Sequence, residues 1–176
     1  MNRMKRQIIN TITDALSVLI GQPLVSLTRG EGVLHVGIVT LKFGSIGTID
    51  AMCGVRFIAD NKIVFTNEDI FHPNSEIETI LTKDGVFDWD AFDYNPSGNS
   101  FFDEMAANHF DKEMDCNTVE NIKVSRFGDL TITLESGFTL EFFADGSGHS
   151  ENWRFNDVNS SKPLIVTSKG IIDESF

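Results

Sequence analysis

Apolar and polar residues alternate along Ile122–Phe155, on both sides of the pair Ser136-Gly137. Alternation with a period of two predicts strands with one buried face, and a Ser-Gly pair between two such runs predicts a hairpin turn. Other extended patterns predict further strands at residues 24–28, 33–43, 49–58, 62–65 and 163–167. The chain therefore contains strand patterns on both sides of its middle section.

Two segments show helical spacing instead. Residues 2–20 repeat apolar side chains at intervals of three and four, which predicts an amphipathic helix that ends at Gly21. A second helix is predicted at residues 101–112, with Ser100 as its N-cap and two acidic residues in its first turn. These patterns predict an α+β fold, mainly antiparallel β-sheet, with an N-terminal helix and a second helix near residues 101–112.

The order of these elements predicts a single domain over residues 1–176. Two β portions, at about 22–66 and 119–170, are joined by an acidic loop-helix segment at 67–118. A chain of this size buries roughly 70% of its unfolded surface, so it needs no disulfide to stabilise it. Residues 27–30 (LTRG) are similar to residues 124–127 (VSRF), which leaves an ancient duplication open.

The net charge is −12, and it is spread unevenly along the chain. Residues 1–45 carry five basic and two acidic residues, whereas the remainder carries nine basic and 24 acidic residues. Such a charge disfavours nucleic acid as a partner, because phosphate binding requires lysine and arginine. It suits a basic protein partner, whose encounter it would accelerate. The alternative is that the acidic residues serve only solubility.

Cys53 and Cys116 lie far apart and show no metal-ligand spacing, so we expect buried thiols in a reducing cytoplasm, with a disulfide as the alternative. The first 20 residues lack a signal-peptide pattern, and no apolar run approaches the roughly 18 residues that cross a bilayer. We therefore expect a cytoplasmic protein that does not bind membranes. The oligomeric state stays open.

We predict no metal site, no cofactor and no catalytic residue. The four histidines lack the spacings that place two ligands on one helical face, and no GxSxG nucleophile elbow occurs. The acidic residues at 84–95 lack the order of a calcium-binding loop. His149, two residues before Glu151, could bind a ligand from a turn, although a solvated loop histidine is the simpler interpretation.

Two arginines, Arg56 and Arg154, each precede a phenylalanine in a predicted strand. The structural interpretation is that Arg154 pairs across strands with Glu141 or Glu135 and shares a strand face with Asn152, opposite Trp153. The functional alternative is that Arg56 and Arg154, with His149, converge on an anionic ligand. Such a site would lie in a cleft between the two β portions, in a small-anion-binding domain or an enzyme of unrecognised type.

Several short motifs in this order resemble a family of small uncharacterised bacterial cytoplasmic proteins. The most distinctive are Gly128–Ile132 (GDLTI) and Glu151–Phe155 (ENWRF), and the others are 21–24 (GQPL), 87–90 (FDWD), 102–104 (FDE), 136–137 (SG), 140–143 (LEFF) and 164–167 (LIVT). The resemblance covers nearly the whole chain. It implies a single domain, and for some members a role as immunity proteins beside toxin genes.

The acidic stretch at 84–115, with nine acidic residues against one lysine, is the predicted contact surface. We expect a non-enzymatic protein-binding module, such as an immunity protein that inhibits a basic toxin through this surface. Its acidic and aromatic side chains would supply charge and buried anchors. The predicted partner-binding residues are Asp88, Trp89, Asp90, Phe92, Asp93 and Tyr94.

Overall fold

The computed structural model describes residues 3–30, 37–76, 83–86, 88, 91–110, 117–144 and 150–172. Within these ranges the chain forms two α-helices and eleven strands in two antiparallel sheets, which confirms the predicted α+β class. The helices are α1 (Arg3–Leu16) and α2 (Phe101–Phe110). The strands are β1 (Leu24–Arg29), β2 (Val39–Phe43), β3 (Gly47–Ala51), β4 (Gly54–Ala59), β5 (Lys62–Thr66), β6 (Val119–Val124), β7 (Leu130–Leu134), β8 (Thr139–Phe143), β9 (Glu151–Asp157), β10 (Leu164–Thr167) and β11 (Gly170–Ile172).

The two sheets share one apolar core. The six-stranded sheet has the order β1-β2-β3-β9-β10-β11, and the five-stranded sheet has the order β5-β4-β8-β7-β6. Burial alternates along strands such as β3 and β7, so each sheet turns one face inward, as the period of two predicts. Aromatic rings fill part of the space between them: Phe57 and Phe65 stack at 4.2 Å, with Phe102 and Phe110 of α2 packed beside them.

The single strand predicted at 49–58 is two strands that belong to different sheets. β3 ends at Ala51, and after Met52 and the buried Cys53 the chain continues as β4 in the five-stranded sheet. The amide of Met52 donates a hydrogen bond to the carbonyl of Asn152, which stabilises this crossing. The prediction was wrong because the apolar pattern continues through the bend and therefore does not mark it.

Other boundaries also differ from the predicted elements. β2 begins at Val39 rather than at residue 33, and residues 33–36 lie outside the described ranges. A short 3-10 helix at Asn67–Phe71 begins the segment that was predicted as loop. Thr66 caps it by accepting a hydrogen bond from the amide of Glu68, while the Asp69 carboxylate accepts one from the amide of Thr66. Strand β11 was not predicted.

The order of elements repeats along the chain, and we call the two occurrences, which begin at α1 and at α2, the two copies. α1 is followed by the three-stranded meander β1-β2-β3 in the six-stranded sheet and then by β4-β5 in the other sheet. α2 is followed by the meander β6-β7-β8 in the five-stranded sheet and then by β9-β10 in the six-stranded sheet. Each sheet therefore contains strands from both β portions, which interleave rather than form separate halves.

The hydrogen bonds at the start of the two meanders are equivalent to each other under this repeat. The amide of Leu24 donates to the carbonyl of Asn117, and the amide of Val119 donates to the carbonyl of Gln22, each at 2.9 Å. A bulge follows at the same place in both copies, between Leu24 and Ser26 and between Val119 and Asn121. These hydrogen bonds and bulges align Leu24 with Val119. The similarity of LTRG (27–30) to VSRF (124–127) would instead align Leu24 with Asn121, two residues further along the chain.

Each helix packs on the first strand of the other copy. α1 contacts β6 and β11, whereas α2 contacts β1 and β5. These strands are the edges of the two sheets, so each helix closes one open side of the molecule. Two helix-sheet junctions result, one beside α1 and one beside α2.

Candidate functional site

The two predicted ligand-binding arginines lie on opposite outer surfaces. In β4 the neighbours Val55 and Phe57 are buried, and in β9 Trp153 and Phe155 are buried. Arg56 and Arg154, between these residues, therefore point away from the shared core on different sheets. The expected convergence on one anion is wrong, and the interleaving of the two β portions leaves no boundary between them in the described residues at which the expected cleft could lie.

Each arginine instead faces an acidic residue of its own sheet. Arg56 lies opposite Glu141 in the strand register, and its guanidinium carbon is 4.3 Å from the ring centre of Phe143. Arg154 lies opposite Asp50. These two cross-strand pairs occupy corresponding positions in the repeat, so the similar Arg-Phe dipeptides reflect the repeated architecture.

Arg154 forms its ion pair within its own strand, with Glu151, rather than with Glu141 or Glu135 as predicted. Its Nη2 donates to Oε2 of Glu151 at 2.6 Å. A register shift occurs at this end of β9, and there Asn152 and Trp153 are both buried. Because the bulge adds one residue, Glu151 and Arg154 lie on the same face, and Asn152 does not lie beside Arg154 as expected.

The predicted partner-binding stretch contributes less exposed apolar surface than expected. Phe92 is only 6% exposed, and the ring of Tyr94 packs edge-on against Phe71 at 5.2 Å. The carboxylate of Asp93 accepts a hydrogen bond from the amide of Asn95, which shapes the turn. Phe92 is therefore a core side chain and cannot serve as an exposed anchor.

The remaining predicted residues of this surface and site divide into two groups. Asp88 is described and is partly exposed. Trp89, Asp90 and His149 lie outside the described residues, as does Cys116.

Arg29, which the sequence analysis did not single out, holds the acidic segment against β1. Its side chain is 2% exposed and forms a two-point ion pair with Asp103, with Nε–Oδ1 and Nη2–Oδ2 distances of 2.9 Å. Its Nη2 also donates to the backbone carbonyls of Tyr94 at 2.6 Å and Pro96 at 3.0 Å. The sequence contains a pattern that could have predicted the burial of Arg29. It lies two residues after Leu27, and residues two apart in a strand lie on the same face, here the buried one.

Asp103 is ionised although it is largely buried. Burial is the largest single influence and opposes ionisation, but the hydrogen bonds from Arg29 and Ser100 and the charge of Arg29 together hold its pKa below the usual value. The same carboxylate accepts hydrogen bonds from the Ser100 hydroxyl and the Gly98 amide. The pair therefore joins β1, the end of the acidic segment and the start of α2.

An open groove of about 290 Å³ runs beside α2, on the side away from the core. We call it the acidic groove, and its polar lining residues are Asn74, Ser75, Glu76, Asp103, Glu104 and Asn108. Glu104 accepts hydrogen bonds from the Ser75 hydroxyl at 2.6 Å and the Ser75 amide at 2.7 Å. These two bonds lower the pKa of Glu104, so its charge persists at neutral pH.

Among the residues that the structure describes, no lysine or arginine lines the acidic groove. Glu76 and Glu104 are therefore the charges that a bound molecule meets first, since Asp103 is paired with the buried Arg29. A carboxylate-lined groove attracts a cationic side chain.

Two further findings concern the described ranges only. They contain no group of three or more His, Cys, Asp or Glu side chains placed to hold a metal ion. None of their helices is long and apolar enough to span a membrane.

Comparison with known proteins adds no assignment. Neither a protein-family model, nor a curated protein, nor a solved structure matches this chain. The resemblance to a family of small uncharacterised bacterial cytoplasmic proteins, some of them immunity proteins, stays a prediction.

Proposed function

We propose that this protein is a non-enzymatic binding module that recognises a basic protein through the acidic groove beside α2. The observation that carries the proposal is the presence of two carboxylates, Glu76 and Glu104, in a groove whose described lining residues include no lysine or arginine. An arginine or lysine side chain of a partner would find charge-assisted hydrogen bonds there.

Two features of the surroundings support this proposal. The Arg29–Asp103 pair and the capped start of α2 hold the groove in place, so binding would require little ordering of the protein. The strong net negative charge of the molecule would increase the rate of encounter with a basic partner. Both features favour fast, salt-sensitive association.

The finer proposal is that the partner is a basic toxin and that the protein is its immunity protein. A toxin that acts on nucleic acid presents a basic substrate groove, and an acidic protein surface can occupy it. Asp88 and Asp93, which precede α2, would extend the contact beyond the acidic groove.

The test is affinity capture from the native host's lysate with three forms of the tagged protein. These are the wild type, the double variant Glu76→Gln and Glu104→Gln, and a control variant with Asp14→Asn and Glu120→Gln. The control removes two exposed carboxylates outside the groove lining, on α1 and β6, and so keeps the change in net charge equal. We expect one basic protein to bind the wild type and the control at low salt and to be released at high salt.

The association rate of that captured protein should fall about tenfold or more in the groove variant and change little in the control. Equal rates for the groove variant and the wild type would show that the groove is not the contact surface. Capture of no basic protein by any form would reject the proposed function.

A further inference from the structure

Another pocket, of about 360 Å³, lies at the helix-sheet junction beside α1. We call it the α1 pocket. It lies between α1, the β6–β7 turn and the β10–β11 turn, and its apolar lining residues are Ile8, Ile9, Ile12, Phe127 and Val166. Its volume is within the usual range for binding sites, and its lining is mostly apolar, as such sites require.

The charge of the α1 pocket is opposite to that of the molecule. Arg126 and Lys169 are exposed at its rim, and no acidic residue is among the described residues that line it. The Arg126 guanidinium carbon is 4.5 Å from the ring centre of Phe127, so charge and aromatic surface are presented together. In a protein of net charge −12, such a pocket selects against cations and for a negatively charged group.

Buried hydrogen bonds fix both turns that form the α1 pocket. The indole nitrogen of Trp153, which is fully buried, donates to the carbonyl of Gly128 at 2.8 Å. In the other turn the hydroxyl of Thr167 donates to the carbonyl of Gly170 at 2.9 Å. The pocket is therefore formed before any ligand enters, which lowers the entropic cost of binding.

The repeat supplies a comparison for what this junction can hold. The three elements around the α1 pocket correspond to α2, the end of β1 and the 3-10 helix after β5 in the other copy. There the chain's own residues 91–98 contact all three elements. Arg29 at the end of β1 binds the carbonyls of Tyr94 and Pro96, Tyr94 packs on Phe71 of the 3-10 helix, and the amide of Gly98 donates to Asp103 of α2.

Residues 91–98 contain no helix or strand, and they place an aromatic residue, an acid and a second aromatic residue in succession, Phe92-Asp93-Tyr94. At one junction, then, an irregular peptide contacts helix, strand end and 3-10 helix, and an arginine at the strand end holds its carbonyls, while a pocket of about 420 Å³ remains between β1 and α2. At the other junction the described residues leave the α1 pocket, and Arg126 lies two residues beyond the end of β6.

We propose that the α1 pocket binds an extended peptide segment of a partner protein, with an aromatic side chain beside an acidic one. The aromatic side chain enters among the isoleucines of α1, and Arg126 and Lys169 bind the carboxylate and the backbone carbonyls. This site prefers the charge opposite to that preferred by the acidic groove, and it does not depend on the function proposed for that groove.

The test measures binding of a fluorescein-labelled synthetic peptide, Ala-Phe-Asp-Tyr-Asn-Pro-Ser-Gly, to the full-length protein by fluorescence anisotropy. Its sequence is that of residues 91–98. The variant Arg126→Ala with Lys169→Ala removes both rim cations, and Arg56→Ala with Lys62→Ala removes two exposed cations on β4 and β5 as a matched control. All four residues are exposed, so the variants should fold, which circular dichroism verifies.

We expect saturable binding to the wild type and to the control, and binding about tenfold weaker or worse to the rim variant. A peptide with both aromatic residues replaced by alanine should bind more weakly than the original to the wild type. Equal affinity of the rim variant and the wild type would overturn the proposal, as would no binding at millimolar peptide. Binding of 3-phenylpropionate in place of the peptide would also overturn it, because the site would then be one for small hydrophobic carboxylates.

Discussion

Arg29 shows how one side chain connects distant parts of this chain. It is buried, it pairs with Asp103 of α2, and it binds two backbone carbonyls of the segment before that helix. A buried ion pair gains little over an apolar pair of the same size, but loss of one partner leaves an uncompensated charge. The pair therefore acts chiefly as a positioning device for the segment and for the start of α2.

The pH dependence of stability should reveal this pair. The pKa of Asp103 is lower in the folded protein than in the unfolded chain, so its contribution is complete above the ordinary carboxyl pKa of about 4 and is lost as pH falls through the folded value. Asp103→Asn should lower the free energy of unfolding by about 3 kcal/mol at pH 7, because Arg29 is left buried without its counter-charge. The difference between variant and wild type should shrink below about pH 4.

Urea unfolding at pH 7, 5, 4 and 3 measures this difference. Asp14→Asn, on the exposed side of α1, is the control for removing a surface carboxylate. A difference between Asp103→Asn and wild type that does not depend on pH would show that the charge of Asp103 is not what stabilises the fold.

At the scale of elements, the pairing of β3 with β9 joins the two copies of the repeat. Gly47 of β3 lies opposite Asp157 of β9. A Cβ atom at Gly47 would lie 2.2 Å from the carbonyl oxygen of Asn156, far inside van der Waals contact. The close approach of these two backbones therefore requires glycine at this position.

Replacing Gly47 with alanine should separate β3 from β9 and cost at least about 2 kcal/mol of unfolding free energy. Gly54→Ala at the start of β4 is the matched control, because a Cβ there meets no atom within 4 Å. The control should stay within about 1 kcal/mol of the wild type, since alanine loses less backbone entropy than glycine. Chemical denaturation of both variants checks this, and equal stability of the two would contradict the assigned strand contact.

At the scale of the whole molecule, the two copies complete each other. β3 pairs with β9 and β4 pairs with β8, so both sheets are continuous across the two copies. Each helix closes the side of the molecule that is formed partly by the other copy. Folding of one copy alone would leave two long strand edges and half of the core exposed.

Fragments 1–98 and 99–176, cut in the exposed turn before α2, should therefore lack a cooperative thermal transition when studied separately. Mixed in equal amounts they should regain one, together with the fluorescence of the buried Trp153, which packs where β9 meets β3. Circular dichroism and tryptophan emission measure both properties. Cooperative unfolding of the isolated 99–176 fragment would contradict the dependence of one copy on the other.

The elements that depend on local pattern were predictable. Gly21 has the expected positive φ of +79°, although α1 ends at Leu16 and a 3-10 turn, Ser17–Leu19, lies between them. Gly137 has a φ of +88° in the turn between β7 and β8. Ser100 caps α2 through its hydroxyl, which accepts a hydrogen bond from the amide of Asp103. These features follow from nearest-neighbour chemistry, namely the freedom of glycine at positive φ and the capping capacity of serine.

The candidate sites were less predictable, because they depend on which elements become neighbours. The alternation in β9 correctly placed Arg154 on the face opposite Trp153, but it could not show that Arg56 and Arg154 belong to different sheets. The acidic character of the 84–115 segment was visible, whereas the burial of Phe92 was not. Burial of a loop residue depends on the elements that cover it, which the local sequence does not specify.

The sequence by itself determined the α+β class, both helices, most strands and the acidic character of the surface, because periodicity and composition are properties of the chain. Tertiary structure alone decided the change of sheet at Met52, the exchange of strands between the two copies and the pockets beside the helices. All three depend on contacts between residues far apart in sequence, such as Gln22 with Val119 and Arg29 with Asp103. Local propensity carries no information about such contacts.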